Sequence, residues 1–217
     1  MRIVHVIAVT LLVATGCLIA QAGISMAAEP GYYKVRGVAD GDVLNIREEP
    51  RADATIVGEF KPGARPVEVL EIAATGTSEW GRVRAMDTNG WVAMRFLEPD
   101  EVTTLEGTDV PEGLVCGGTE PFWDAKFGGG ELKLTSMADG NLTLPLTSAI
   151  PAVGRRHRFA LIATQANARM TAMLGRYESC SDGMSDFDYG WRIDLLVEDG
   201  AKPAYAYEGC CHLPVAK

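Results

Sequence analysis

The chain has no surplus of positive charge, which limits the partners it can bind. Its 20 lysines and arginines stand against 29 aspartates and glutamates, giving a net charge of -9. An acidic surface disfavours nucleic acid and anionic lipid as main partners, so we expect no nucleic-acid partner. Hydrophobic residues still make up 47% of the chain, which argues against disorder and predicts real cores.

Long apolar runs are absent after residue 28, but one run precedes it. The segment "MRIVHVIAVTLLVATGCLIAQAGISMAAEP" carries one arginine, then a long apolar stretch, then small residues. This pattern is typical of a secretory signal peptide, which we assign to residues 1–28. Cleavage after Ala27 is favoured over cleavage after Ala22. The predicted location is therefore periplasmic or secreted.

Two features of this leader leave a membrane-bound alternative. "ATGC", ending at Cys17, resembles the lipobox of bacterial lipoproteins, which would make the protein a membrane-anchored lipoprotein. The apolar stretch also approaches the length that spans a bilayer. We expect membrane association only if Cys17 is lipidated or the leader stays uncleaved.

Cysteine is absent between the leader and the middle of the chain. Of five cysteines, loss of Cys17 leaves four, at Cys116, Cys180, Cys210 and Cys211. An even number in an oxidising compartment predicts two disulfides. Neighbouring Cα atoms lie about 3.8 Å apart, below the usual disulfide span of about 4.4–6.8 Å, so Cys210 and Cys211 should not pair with each other. In a strand they point to opposite faces, so we expect one to reach Cys116 and the other Cys180.

A sustained helical period is also absent, and the fold class is predicted to be all-β. Short alternating segments separated by glycine and proline predict a small barrel over residues 31–98. Residues 99–112 are acidic, poor in large apolar residues and bounded by prolines, which predicts a linker. Residues 113–217 predict a second antiparallel β-barrel or a sandwich stapled by disulfides. The barrel is preferred because closure removes exposed strand edges.

The first of these domains resembles a known family. "LNIREEPRADATIVGEFKPGARPVEVLE", then "WGRVR" and "NGWVAMRFLEP", are similar to the bacterial SH3-like domain over residues 32–99. The resemblance implies that "GWVAMRFL" is a closing strand with a short 3₁₀ turn. It also implies binding to peptidoglycan or a cell-wall peptide, which is how envelope members of that family are thought to act.

The second domain shows a separate resemblance. "CGGTEPFWDAKF", "CSDGMSDFDYGW" and "GCCHLP" occur in this order and resemble a family of uncharacterised proteobacterial envelope proteins that share these motifs. That family has no activity to carry over. By period-2 alternation, Phe187, Tyr189 and Trp191 should lie on one face of a continuous strand and Asp186 and Asp188 on the other, which leaves "CSDGMS" as a turn.

Four residues are the candidates for binding. Trp80 is an aromatic that could stack on a sugar or a peptide, with core packing as the alternative, whereas Trp91 is interpreted as core. Glu120, in "GTEPFW", is a lone acid that either orients a ligand or ties down a loop. Trp123 and Asp182 join it as the first residues to test, because they lie in the same motif set.

The chain lacks the motifs of the common catalytic sites. It has no phosphate-binding glycine loop, no nucleophile elbow and no His-Glu-x-x-His motif. Cys211 and His212 are sequence neighbours, which rarely face each other productively, and no Cys-x-x-Cys spacing indicates zinc. We therefore predict no catalytic residue, no metal and no cofactor.

The predicted function is that of an exported envelope binding protein. Its first domain would dock on peptidoglycan or a wall peptide, and its second would bind a small ligand or an envelope protein. One alternative is an inhibitor of a wall-cleaving enzyme such as lysozyme, whose envelope inhibitors are also small disulfide-bearing β-barrels. The other is a wall-targeted hydrolase.

Overall fold

The computed structural model describes residues 28, 30–84 and 88–214. The predicted signal peptide, including Cys17, lies outside the described residues except for Ala28. Within the described ranges, no helix is long and apolar enough to cross a bilayer.

The first domain is built from short antiparallel strands in two sheets. The smaller sheet has three strands and the larger one has five. A 3₁₀ turn, Met94–Phe96, precedes the last strand, as the resemblance implied. Side chains alternate along each strand, so Leu44 and Ile46 enter the core. The strands are β1 Gly31–Val35, β2 Leu44–Arg47, β3 Ile56–Phe60, β4 Val67–Val69, β5 Glu71–Thr75, β6 Ser78–Arg84, β7 Asn89–Ala93 and β8 Leu97–Pro99. Their order is β4-β1-β8 in the smaller sheet and β3-β2-β7-β6-β5 in the larger one.

The second domain is a closed antiparallel barrel. Its strands are β9 Val115–Thr119, β10 Phe122–Gly128, β11 Glu131–Ser136, β12 Gly140–Pro151, β13 Arg158–Gln165, β14 Ala168–Cys180, β15 Tyr189–Glu198 and β16 Tyr205–His212. They close in the order β10-β11-β12-β13-β14-β15-β16-β9. The interior is apolar, and Trp191, Ile193, Leu195 and Val197 of β15 all point into it. The all-β prediction is confirmed, and the second domain is a barrel.

Two disulfides staple this barrel. Cys116 of β9 bonds Cys211, which lies directly opposite it on β16. Cys210 bonds Cys180 at the end of β14. Because neighbouring residues of β16 point to opposite faces, the bridge of Cys211 belongs to the apolar core of the barrel, whereas the bridge of Cys210 lies outside it. This confirms that the vicinal cysteines take different partners.

Residues 99–112 differ from the predicted linker. Leu105 and Val110 are buried and belong to the apolar cluster that fills the second barrel. The Leu105 N–H donates to the carbonyl oxygen of Val110 at 2.9 Å, and Thr104 pairs with Pro111 in an isolated bridge. The segment is therefore a folded loop packed on the barrel, because Leu105 and Val110 gain burial there.

The strand predicted through "FDYGW" is shorter than expected. β15 begins at Tyr189, so Phe187 and Asp186 precede it, and the ladder between β14 and β15 is irregular between Arg176 and Cys180. Asp188 is not one of a row of solvated charges. Its Oδ2 accepts hydrogen bonds from Arg82 and, at 3.3 Å, from Asn89 Nδ2, both in the first domain.

The two domains share a polar interface centred on Glu68. The Trp191 indole N–H of the second domain donates to Tyr32 Oη at 2.9 Å, and the Tyr32 hydroxyl donates to Glu68 Oε1 at 3.2 Å. The Glu68 carboxylate lies against Gly190, where a Cβ atom would collide with it. Gly190 thus lets a carboxyl group of the first domain approach the backbone of the second.

A second set of contacts flanks this network. The Arg84 guanidinium lies 4.9 Å from the ring centroid of Phe187 and 5.3 Å from that of Tyr189. Its Nε and one terminal nitrogen are buried and have no hydrogen-bond partner within the described ranges. Arg176, from β14, stands over the Tyr32 ring at 5.7 Å.

Burial shifts the acid and base equilibria of this interface. It raises the pKa of Glu68 to about 7, although the Tyr32 hydrogen bond and the charges of Arg176 and Arg84 act in the opposite direction. Burial also lowers the pKa of Arg84. His212, on the same side of the second barrel, has its pKa lowered to about 4, first by burial and then by Arg84. The free-energy cost of burying these ionisable groups in the interface therefore depends on pH.

Candidate binding pocket in the second barrel

A pocket opens beside the end of the ladder between two strands of the second barrel. β9 and β16 pair from His212 and Val115 to Cys210 and Gly117, and their ladder ends there. The space beyond this point has a volume of about 410 Å³. Residues 118–121, 179–182 and 206–210, together with Trp123 and Arg192, contribute its lining. Its size is within the range of small-ligand sites.

The inner wall of the pocket is aromatic. Trp123 and Tyr207 stack with ring centroids 4.9 Å apart and an interplanar angle of 19°. The indole lies against Gly118 and Gly209, and a Cβ atom on Gly209 would stand 2.8 Å from Trp123 Cζ2. Two glycines are therefore needed for the ring to pack so close to the strands.

Tyr207 is fixed by its hydroxyl group. It donates to Asp139 Oδ2 at 2.5 Å and lies 2.7 Å from the Ser136 hydroxyl oxygen, and Lys202 also contacts the Asp139 carboxylate. Burial and the Asp139 hydrogen bond raise the pKa of Tyr207 to about 12, so the phenol stays neutral. The stacked pair is thus held in one orientation.

Asp182 organises the turn on one side of the pocket. Its Oδ1 accepts from the backbone N–H of Met184 at 3.1 Å and that of Ser185 at 2.8 Å, and its Oδ2 accepts from the Tyr189 hydroxyl at 3.1 Å. Burial acts to raise the pKa of Asp182, but the hydrogen bonds from Ser185 and Met184 hold it below its usual value. The carboxylate is therefore ionised and fully engaged in the turn.

The turn is fastened to the rest of the pocket by two links. The disulfide from Cys180 to Cys210 joins it to β16. The Thr119 hydroxyl donates to the Asp182 carbonyl oxygen at 3.4 Å and so joins it to the end of β9, where the loop to β10 begins. In that loop the peptide bond between Glu120 and Pro121 is cis.

Three of the four predicted binding residues line this one pocket. Glu120 is exposed at its edge, Trp123 forms its inner wall and Asp182 holds its turn. Sequence reasoning missed Glu208 and Arg192, which form an ion pair at 2.5 Å in the lining. The only sequence signal for them is their polar position in the alternating strands β16 and β15.

Trp80 does not join this site. It lies on β6 in the first domain between Ala73 and Ala93 of the neighbouring strands, with an exposed fraction of 5%. A covered indole cannot offer a face to a ligand, which corrects the prediction for Trp80. Trp91, interpreted as core, is instead partly exposed on β7 and lies in register between Arg47 and Arg82.

Comparison with known proteins identifies the first domain only. Neither the curated proteins nor the solved structures gave a match to the chain. A first domain of the SH3-like kind, together with two disulfides, is compatible with an extracytoplasmic location. Residues 42–98 match the family described as the bacterial SH3 domain, and this part of the chain is a bacterial SH3 domain.

Proposed function

We propose that the protein is an exported, non-catalytic binding protein of the bacterial envelope. Its SH3 domain docks on peptidoglycan or a wall peptide, and its second barrel binds a small ligand in the pocket beside Trp123. The observation that carries this proposal is the convergence of three separated motifs, through residues 118–121 with Trp123, 180–182 and 209–210, on one pocket. Bacterial SH3 domains often bind cell-wall peptidoglycan, which supports the role of the first domain.

The pocket chemistry favours binding over hydrolysis. Glycoside hydrolysis uses a pair of carboxyl groups, one of which keeps a proton at working pH through a raised pKa. Asp182 has a lowered pKa, and its oxygens accept hydrogen bonds from its own turn. It therefore supplies neither the acid nor a free nucleophile beside Glu120.

Wall docking is tested by retention of the full chain on purified peptidoglycan. We expect Trp91→Ala to lower retention several-fold, because Trp91 is a partly exposed aromatic of the SH3 domain and such rings contribute strongly to binding. Phe122→Ala is the matched control, since Phe122 is 56% exposed but lies on the second barrel. Thermal melting is the check that both variants are folded. Absence of retention of the unmodified protein above a control protein would reject the docking proposal.

The non-catalytic assignment is tested by the turbidity of wall suspensions. We expect no loss of turbidity with the protein alone, since the pocket offers no second free carboxyl group. Addition of lysozyme measures the inhibitor alternative in the same assay. Clearing by the protein alone would make it a hydrolase, whereas slower clearing by lysozyme would make it an inhibitor.

A further inference from the structure

The charge of the pocket restricts what it can hold. Three carboxylates line it, from Glu120, Asp182 and Glu208, against the single cation of Arg192. Arg192 is already paired with Glu208 at 2.5 Å. The balance is negative, as it is for the whole chain, so an anionic ligand would be repelled.

One of these carboxylates is free. Asp182 is engaged with Met184, Ser185 and Tyr189 within its turn, and Glu208 is engaged with Arg192. Glu120 is exposed and makes no side-chain hydrogen bond or ion pair with residues 30–84 or 88–214. It is the negative charge that a ligand can neutralise without breaking an existing contact.

A second, independent group in the pocket lacks a partner. Trp123 as a whole is only 6% exposed, and its indole Nε1 has no hydrogen-bond acceptor in the described part of the chain. This nitrogen is not one of the fully enclosed polar atoms there, so solvent reaches it. The ring lines the same pocket as Glu120. The pocket therefore offers one open donor, the indole N–H, beside one free negative charge.

We infer that the pocket takes an ammonium group carried on a chain that also presents an amide carbonyl, as a lysine-type residue of a peptide does. The ammonium pairs with Glu120, and the carbonyl oxygen accepts from Trp123 Nε1. This inference rests on the proposed function of the pocket and names the class of its ligand. A volume of about 410 Å³ accommodates one such residue.

The test compares a charged probe with a neutral one that differs from it by a single acetyl group. Nα-acetyl-lysine methylamide carries the ammonium, and its Nε-acetylated form does not. Titration of the full chain, followed by ¹H–¹⁵N spectra, should show the charged probe shifting Gly118, Glu120 and the Trp123 indole resonance. We expect the neutral probe to bind at least tenfold more weakly, as the loss of one charge-assisted hydrogen bond predicts.

Two variants with equal changes of charge locate the effect. Glu120→Gln should weaken the charged probe about tenfold. Asp124→Asn should not, because Asp124 is exposed on β10 and is not part of the pocket lining. Equal binding of both probes, equal effects of both variants or no binding of either probe would overturn the inference. Retention on peptidoglycan is measured separately and reports on the proposed function of the SH3 domain.

Discussion

Replacement of Cys116 and Cys211 by alanine is expected to lower the free energy of unfolding of the second barrel by about 4–5 kcal/mol. The bridge spans 95 residues of sequence and joins the strand that opens the barrel to the strand that closes it. Its loss frees a long loop in the unfolded chain, and the chain-entropy estimate for a loop of this size gives that magnitude. Alanine is chosen because both cysteines are buried and a serine hydroxyl would lack a partner.

The measurement is denaturant unfolding of the double variant against the unmodified protein. The matched control replaces Cys180 and Cys210, which lie only 30 residues apart, so the same estimate gives about 3–4 kcal/mol. This second pair also lines the pocket, and its removal should weaken the lysine probe while the first replacement does not. A larger loss of stability from the shorter bridge would contradict the loop-length explanation.

Glu68→Gln is expected to stabilise the protein at pH 8 by about 2 kcal/mol and to have almost no effect at pH 4.5. The pKa of Glu68 is raised to about 7 in the folded protein, whereas the unfolded chain has the ordinary value of 4.5. Between these values the folded state binds the extra proton, so stability falls as pH rises through this window. The full shift would correspond to about 3 kcal/mol, and partial contact of the side chain with solvent reduces it.

The check is the difference in unfolding free energy between variant and unmodified protein from pH 4 to pH 9. His212 titrates with the opposite sign in part of this range, but it is common to both proteins and cancels. Glu98→Gln provides the contrast, because the Lys34 hydrogen bond lowers the pKa of Glu98 and its contribution is lost as pH falls. A Glu68→Gln difference that does not change with pH would show that burial does not control this carboxyl group.

The barrel and its disulfide pattern follow from local rules. Alternation in "WRIDLLV" places Trp191, Ile193 and Leu195 inside, and the adjacent Cys210 and Cys211 must point to opposite faces. The loop over residues 99–112 could not be predicted in the same way. Leu105 and Val110 are buried but stand apart in the sequence, and their spacing has no strand or helix period from which burial can be inferred.

The candidate site was predictable only in part. Motif order singled out Glu120, Trp123 and Asp182, but their common pocket depends on where the ladder between β9 and β16 ends, which the sequence does not encode locally. The network of Tyr32, Glu68 and Trp191 could not be predicted from the sequence, for a related reason. Its members are polar or aromatic residues separated by up to 159 positions, and each resembles an ordinary strand residue in its own segment.

The interface around Asp188 also determines how far the protein can reach. Asp188 binds Arg82 and Asn89 of the SH3 domain and accepts from Ser179, which lines the pocket, at 2.5 Å. Residues 99–112 are packed on the barrel, so they do not form a flexible linker between the SH3 domain and the second barrel. A docked SH3 domain would hold the pocket at one height and one angle above the wall. The protein would then sample ligands only at a set distance from the wall, whereas a flexibly linked module would search a larger volume.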